Sequence, residues 1–158
     1  MKMRALILNS VFLLSAMSAT LVNADCSVIG FHQPDSFIYN GPTTCDIVNL
    51  PEIIVHGTLF ISSSTISGNT IIRGLLNATG ATLSGNTEVS GSIVSSGSVF
   101  SNINITDNHS PDTITLSNNS IVSGDITFEG GIPGNNKVII ESNSKLHGKV
   151  NNGIIINR

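Results

Sequence analysis

The sequence has few of the residues from which most folds build a core and most sites build chemistry. It contains no tryptophan and one tyrosine among 158 residues, and aromatic residues make up 4 %. Its seven Lys and Arg residues form no cluster, so the chain lacks the basic patches and stacking aromatics of nucleic-acid surfaces. The stretch after residue 24 also lacks the i, i+3, i+4 apolar spacing of amphipathic helices. These absences exclude a nucleic-acid partner, docking on acidic lipid and a helical fold.

The first 24 residues have the layout of a secretory signal peptide. Lys2 and Arg4 precede an apolar run over residues 5–14, and small residues lead to an A-x-A-like site before Asp25. A membrane anchor is the alternative, but the run is short and contains two polar residues. We therefore expect residues 1–24 to be removed, which leaves five basic against ten acidic residues, a net charge of −5.

The only two cysteines, Cys26 and Cys45, follow the predicted leader. An even number of cysteines in an exported protein favours a disulfide over free thiols, and no neighbouring Cys or His offers metal-ligand spacing. Residues 25–51 also hold most of the prolines and several aromatic residues. We interpret this segment as an N-terminal cap held by Cys26–Cys45, in a periplasmic or secreted protein.

A repeat fills residues 52–158. Its form is apolar-x-Gly-x-apolar, and the glycines are Gly57, Gly74, Gly91, Gly124 and Gly148. The first three are seventeen residues apart, and Asp107 takes the glycine place in a degenerate copy. The last step has seven extra residues, which match a loop at 130–136.

Asparagine supplies a second repeating column, five residues before each of these positions except Gly57, where Glu52 takes its place. Its members are Asn69, Asn86, Asn102, Asn119 and Asn143. Asn tolerates left-handed backbone angles, and stacked amides can form hydrogen bonds along a ladder. We interpret the column as one structural ladder at a corner of the fold; an Asn-lined binding strip is the alternative.

The runs between these markers are rich in Ile, Val, Thr and Ser and alternate between apolar and polar residues, which is a strand period. Seventeen residues suit one turn of a solenoid with three short strands. The sequence thus predicts an all-β, single-stranded parallel β-helix of about six turns. The inward ladders are Ile66, Leu83, Val99, Leu116 and Ile140; Val55, Ile72, Val89, Ile105, Val122 and Leu146; and Leu59, Leu76, Ile93, Ile126 and Val150.

Residues that could carry chemistry are sparse. Glu88, Asp125 and Glu129 are the candidates for glycan cleavage, but Glu88 and Asp125 do not share a column. A pair of carboxylates facing one groove would favour an enzyme. His109 near Asp107 and Asp112 is interpreted as part of a polar loop. We expect no catalytic residue, no cofactor and no metal.

The phrases "NNSIVSGDITFEGG" and "VIIESNSKLHGKVNNG" are typical rungs of a known protein family. Through them, the segment from about residue 52 to 152 resembles the bactofilins, the polymer-forming β-helical proteins of bacteria. The resemblance implies a right-handed triangular β-helix that assembles end to end without a nucleotide. The export signal and the cysteine-bearing segment depart from the family, whose members are typically cytoplasmic.

The function predicted from these features is that of an exported, non-catalytic structural protein. Its apolar C-terminal residues Ile154, Ile155 and Ile156 are expected to pair with a second copy. The alternative is a surface adhesin or glycan-binding module, with cell-wall or surface glycan as its partner. No membrane span is expected after the leader is removed.

Overall fold

The computed structural model describes residues 25–32, 36–106, 111–130 and 134–158, and the predicted signal peptide lies outside them. Every regular element in these ranges is a strand. The strands are β1 (Ser27–Val28), β2 (Phe31–His32), β3 (Ile38–Asn40), β4 (Thr43–Asp46), β5 (Asn49–Leu50), β6 (Ile53–His56), β7 (Leu59–Ser62), β8 (Thr65–Ile66), β9 (Thr70–Ile72), β10 (Leu76–Thr79), β11 (Thr82–Val89), β12 (Ile93–Ser96), β13 (Val99–Ile105), β14 (Thr113–Ser117), β15 (Ile121–Val122), β16 (Ile126–Phe128), β17 (Lys137–Ile140), β18 (Lys145–Leu146), β19 (Val150–Asn151) and β20 (Ile154–Asn157).

These strands form a β-solenoid of about seven turns with three faces. The first face has the order β1-β4-β7-β10-β12-β14-β17-β20. The second contains β5, β8, β15 and β18, and the third contains β3, β6, β9, β16 and β19. The long strands β11 and β13 run through the corner and belong to both of these faces. The predicted fold class, a parallel β-helix, is confirmed.

The solenoid begins earlier than the repeat indicates. Strands β3, β4 and β5 pair in parallel with β6, β7 and β8 of the next turn. They form a complete turn inside the segment that the sequence assigns to the cap. Its core positions hold Tyr39, Thr43 and Cys45 in place of the repeat's aliphatic residues, which hides the turn from a search for that pattern.

The core consists of side chains stacked in columns between the faces. The columns are Thr43, Leu59, Leu76, Ile93, Ile114 and Val138 on the first face; Leu50, Ile66, Leu83, Phe100, Val122 and Leu146 on the second; and Tyr39, Val55, Ile72, Val89, Ile105 and Phe128 on the third. Nearly all are buried. A buried aliphatic side chain contributes about 1.5–3 kcal/mol, and stacking supplies each with neighbours.

The predicted ladders are correct in the early turns and wrong in the later ones. Val122 and Leu146 stack beneath Phe100 on the second face, not beneath Ile105. Leu116 and Ile140 lie on the first face. Phe100, not its exposed neighbour Val99, points into the core. Two turns are longer than seventeen residues, which shifts the register beyond Ile105, and the Val99 error comes from a one-residue register shift between β11 and β13 at Leu83/Asn86.

Both lengthened turns carry most of their extra residues at the same corner, between the third and first faces. One insertion lies between β13 and β14 and the other between β16 and β17. The paired residues on the first face are 21 apart from Ile93 to Ile114 and 24 apart from Ile114 to Val138. The loop predicted at 130–136 falls at this corner, and residues 107–110 and 131–133 lie outside the described ranges.

Glycine marks two corners, whereas the sequence predicts one glycine column. Gly57, Gly74 and Gly91 stack where the third face meets the first. A Cβ on Gly74 would lie 2.5 Å from the carbonyl oxygen of Gly57. Gly124 and Gly148 belong to the other column, with Gly68 and Gly85, where the second face meets the third. In both columns the backbones of successive turns approach too closely for a side chain.

The third corner, between the first and second faces, uses left-handed backbone. Ile47, Ser63, Gly80 and Gly97 occupy it with φ of 54°, 48°, 59° and 63°. The same corner in the next two turns contains Asn118 and Asn119, then Ser142 and Asn143, all with positive φ. Asn119 and Asn143 therefore occupy the left-handed corner that the sequence predicts for asparagine.

The glycine contacts predict a graded cost for adding one methyl group. Gly74→Ala places a Cβ 2.5 Å from a backbone oxygen, whereas Gly91→Ala places it 3.0 Å from one. Because backbone cannot move aside cheaply, we expect Gly74→Ala to lower the free energy of unfolding by about 2–3 kcal/mol and Gly91→Ala by about 1 kcal/mol. Urea unfolding of both variants measures the difference, and equal costs would contradict this packing.

Candidate functional site: the two ends and a polar groove

The C-terminal end of the solenoid exposes a cross-section of the core. In the described part of the chain, β18, β19 and β20 each pair on one side only. Ile155 continues the column of Leu76, Ile93 and Val138, which are at most 1 % exposed, yet it is 48 % exposed itself. The end thus presents both free backbone hydrogen-bonding groups and apolar side chains.

The three predicted association residues do not share one orientation. Ile155 stacks on Val138 and points into the core column, whereas Ile154 and Ile156 stack on the outward residues Lys137 and Ile139. Val150 and the other half-buried aliphatic residues of the last turn pack beside the core. Ile155 is therefore the residue through which a partner could extend the core.

The N-terminal end is built differently, because its outermost strands run in the opposite direction. Strand β1 pairs antiparallel with β4, and β2 pairs antiparallel with β3. The disulfide joins Cys26 beside β1 to Cys45 in β4. The predicted disulfide is thus present, but the cap is shorter than residues 25–51: only the two-residue strands β1 and β2 cover the first and third faces. Ile29 and Phe31 on this cap are 81 % and 62 % exposed.

Tyr39 closes the third-face core column beneath the cap. Its ring is buried and stacks on His32 with 4.3 Å between centroids. Its hydroxyl donates a 3.2 Å hydrogen bond to Oδ1 of Asp25. Burial first, and then the charge of Asp25 and this hydrogen bond, raise the pKa of Tyr39 to about 12.

The five predicted ladder asparagines divide between two corners. Asn69, Asn86 and Asn102 lie at the corner between the second and third faces, where the amide of Asn102 donates a 3.2 Å hydrogen bond to Asn86. Asp125 takes the next place, and its N–H donates to Oδ1 of Asn102. Asn119 and Asn143 lie at the left-handed corner. The single five-membered ladder is wrong, because the insertion after β13 shifts the later turns.

A polar groove of about 330 Å³ lies on the outer surface of the third face. Its walls come from β11, β13 and β16, in three successive turns. It is lined by the amides of Asn86, Asn102 and Asn104, the carboxylates of Glu88, Asp125 and Glu129, the hydroxyl of Thr127, and Ile103. These polar side chains project outward because they alternate with the buried residues of their strands.

The three carboxylates that the sequence singles out therefore line one groove, although they occupy three different columns. Glu88 lies 3.7 Å from Arg73. Asp125 accepts a 2.8 Å hydrogen bond from the N–H of Lys149, and Glu129 accepts one from the amide of Asn104. Each carboxylate is thus held by a donor from the protein. Glu88 and Glu129 are two turns apart, or about 10 Å along the axis.

The sequence missed the groove as a unit because the late register was uncertain. Asn104 and Thr127, which continue the column of Glu88, carry no signal of their own in a chain rich in Asn and Thr. Within the described ranges, no group of three or more His, Cys, Asp or Glu residues could hold a metal ion. Residues Asp107 and His109 of the predicted polar loop lie outside those ranges, and Asp112 is buried beside the loop.

Comparison of the chain with protein-family models, with curated proteins and with solved structures finds no match. The resemblance to bactofilins thus remains a prediction carried by the repeat. No helix long and apolar enough to cross a membrane occurs in the residues that the structure describes.

The environment of Tyr39 predicts a loss of stability at alkaline pH. Because its pKa rises from 10 in the unfolded chain to about 12 in the fold, the unfolded state ionises first as pH rises. The contribution of Tyr39 to the free energy of unfolding is unchanged below pH 10 and falls progressively between pH 10 and 12. Thermal unfolding of the wild type and of Tyr39→Phe over pH 8–12 measures the effect. An equally steep decline in both would contradict it.

Proposed function

We propose that the chain is an exported, non-catalytic structural protein that self-associates through the ends of its β-helix. The observation that carries the proposal is the open C-terminal end. There a core column that is buried in every preceding turn ends in the half-exposed Ile155.

Strand pairing favours another β-helix as the partner of this end. Each internal turn is bounded above and below by parallel strands about 4.8 Å away, and the last turn has the same backbone geometry with one side free. A second copy supplies strands on matching faces, so its core columns can continue those of the first. Burying the exposed part of Ile155 would contribute about 1 kcal/mol, in addition to the strand pairing.

Export is part of the same proposal. It is supported by the signal-like residues 1–24 and by the disulfide between Cys26 and Cys45. Disulfides persist in oxidising compartments. The groove brings Glu88, Asp125 and Glu129 together, the arrangement that favours an enzyme; because a donor of the protein holds each carboxylate, we propose that they shape the groove and do not act as acid and base.

If the chain self-associates through its C-terminal end, Ile155→Asn should weaken that association. An amide at this position would be buried without full hydrogen bonding, so we expect the dissociation constant to rise at least tenfold. Val94→Asn is the matched control, because Val94 is 52 % exposed on the same face but lies far from either end. Sedimentation velocity across a concentration series measures both. Equal effects, or a monomeric wild type, would contradict the proposal.

A second candidate function, carbohydrate binding, rests on the groove of the third face. Amides and carboxylates that alternate along a shallow polar surface suit hydroxyl groups, which both donate and accept hydrogen bonds. The three carboxylates would repel an anionic glycan. The groove therefore suits a neutral oligosaccharide long enough to cross three turns.

Isothermal titration with two hexasaccharides tests this candidate, one of neutral N-acetylglucosamine and one of anionic galacturonic acid. We expect the neutral probe to bind and the anionic probe not to bind. Asn104→Ala should weaken binding at least tenfold, whereas Asn77→Ala, on the outer surface of the first face, should leave it unchanged. No binding of the neutral probe, or equal loss in both variants, would exclude the groove.

A further inference from the structure

The Lys and Arg residues form no run in the sequence, but the fold brings most of those beyond residue 24 together in the last two turns of the solenoid. Beyond residue 24 the sequence has five Lys and Arg residues, and four of them lie between residues 137 and 158. These are Lys137, Lys145, Lys149 and Arg158, all exposed, with Glu141 as the only acidic residue in that range. The C-terminal end is thus a basic surface on an otherwise acidic protein.

The cap and the first turns carry the opposite charge. Residues 25–52 contain four carboxylates and no Lys or Arg. Three of these carboxylates, Asp25, Asp46 and Glu52, are described and are exposed. The two ends are about 29 Å apart, six steps of about 4.8 Å. Since the Debye length is about 8 Å at physiological ionic strength, the charge of each end acts mainly on whatever touches it.

We propose that the C-terminal end of one copy binds the N-terminal cap of the next, so that copies associate head to tail. This inference rests on the proposed function and specifies its partner surface. A head-to-tail interface is heterologous: it uses two different surfaces and leaves one of each free. It therefore continues into an open filament, whereas pairing of two identical ends stops at a dimer.

The strand order supports this arrangement. Strand β20 is outermost on the first face at one end, and β1 is outermost on that face at the other. On the third face the corresponding strands are β19 and β2. Stacking two copies in line therefore brings β20 against β1 and β19 against β2, with both faces continued. The reversed direction of β1 and β2 makes the junction antiparallel, a geometry that strand pairing accepts readily.

Apolar surface is also available on both sides of this junction. Ile154 and Ile155 are half-exposed at the C-terminal end, and Ile29 and Phe31 are exposed on the cap. Burying these four side chains at the junction would stabilise it in addition to the strand pairing. Opposite charges around such an apolar centre favour the correct partner and speed its encounter.

Pairing of two C-terminal ends is disfavoured by the same charges. It would bring Lys145 and Lys149 of both copies to one interface. Among the described residues, Arg158 is paired with Glu141 at 3.4 Å, whereas Lys137, Lys145 and Lys149 form no ion pair. These lysines are therefore available to carboxylates of a second copy, and like charges brought together cost binding energy.

Reversing the charge of one end at a time tests whether copies associate head to tail. The C-terminal variant is K145E/K149E and the N-terminal variant is D46K/E52K, both made at exposed positions. K145E/K149E would then carry negative charge at both ends, whereas D46K/E52K would cancel the charge of residues 25–52, so each variant loses the attraction between its two ends. We expect the dissociation constant to rise at least tenfold for each and to return close to the wild-type value in an equimolar mixture. Sedimentation velocity at low and high salt provides the readout, with circular dichroism as the check of folding.

The outcomes separate this inference from the proposed function. Wild-type association that D46K/E52K leaves unchanged overturns head-to-tail binding but not self-association. A mixture that fails to recover also overturns head-to-tail binding. A wild-type protein that stays monomeric overturns both. If reversal prevents folding, the neutral variants K145Q/K149Q and D46N/E52Q carry the same test, with smaller losses and a weaker salt dependence expected.

Discussion

Parallel pairing of each turn with the turns on either side is the interaction on which the rest of this structure depends. No helix or second sheet covers the described strands, so a turn is held by backbone hydrogen bonds and by side chains directly above and below it. Each column must therefore keep compatible shapes along its length. Aliphatic residues such as Leu76 and Ile93 fill most of these columns, and Tyr39, Phe100 and Phe128 are the buried aromatic residues among those described.

The same dependence explains where variation is tolerated. Extra residues can leave the solenoid at a corner without disturbing the strands, and both insertions leave at the corner between the third and first faces. That corner has the close backbone contacts of Gly57, Gly74 and Gly91 in the early turns, and its glycine column ends where the insertions begin. Among the described strands, the outermost ones have no neighbouring turn on one side to pair with their backbone N–H and C=O groups. Opposite charge and exposed apolar side chains accordingly occur at the two ends.

The fold could be predicted from the sequence because turns two to four are nearly uniform. Steps of 16 or 17 residues place Val55, Ile72, Val89 and Ile105 in one column, as predicted. Beyond Ile105 the prediction failed, since an apolar-x-Gly-x-apolar phrase occurs at two different corners and glycine alone cannot tell them apart. Predicting the groove required the correct alignment of these later turns. The carboxylates were recognised individually, but their common groove follows from the true alignment of Asp125 with Asn102.

We propose that a second copy completes the last turn of the solenoid. Amide hydrogen exchange at low and high protein concentration tests it most directly, because exchange reports hydrogen bonding strand by strand. If the claim holds, protection of β20 and of the cap strand β1 rises with concentration, while that of the central strands β10 and β12 stays constant. Protection of β20 that does not change with concentration would contradict it.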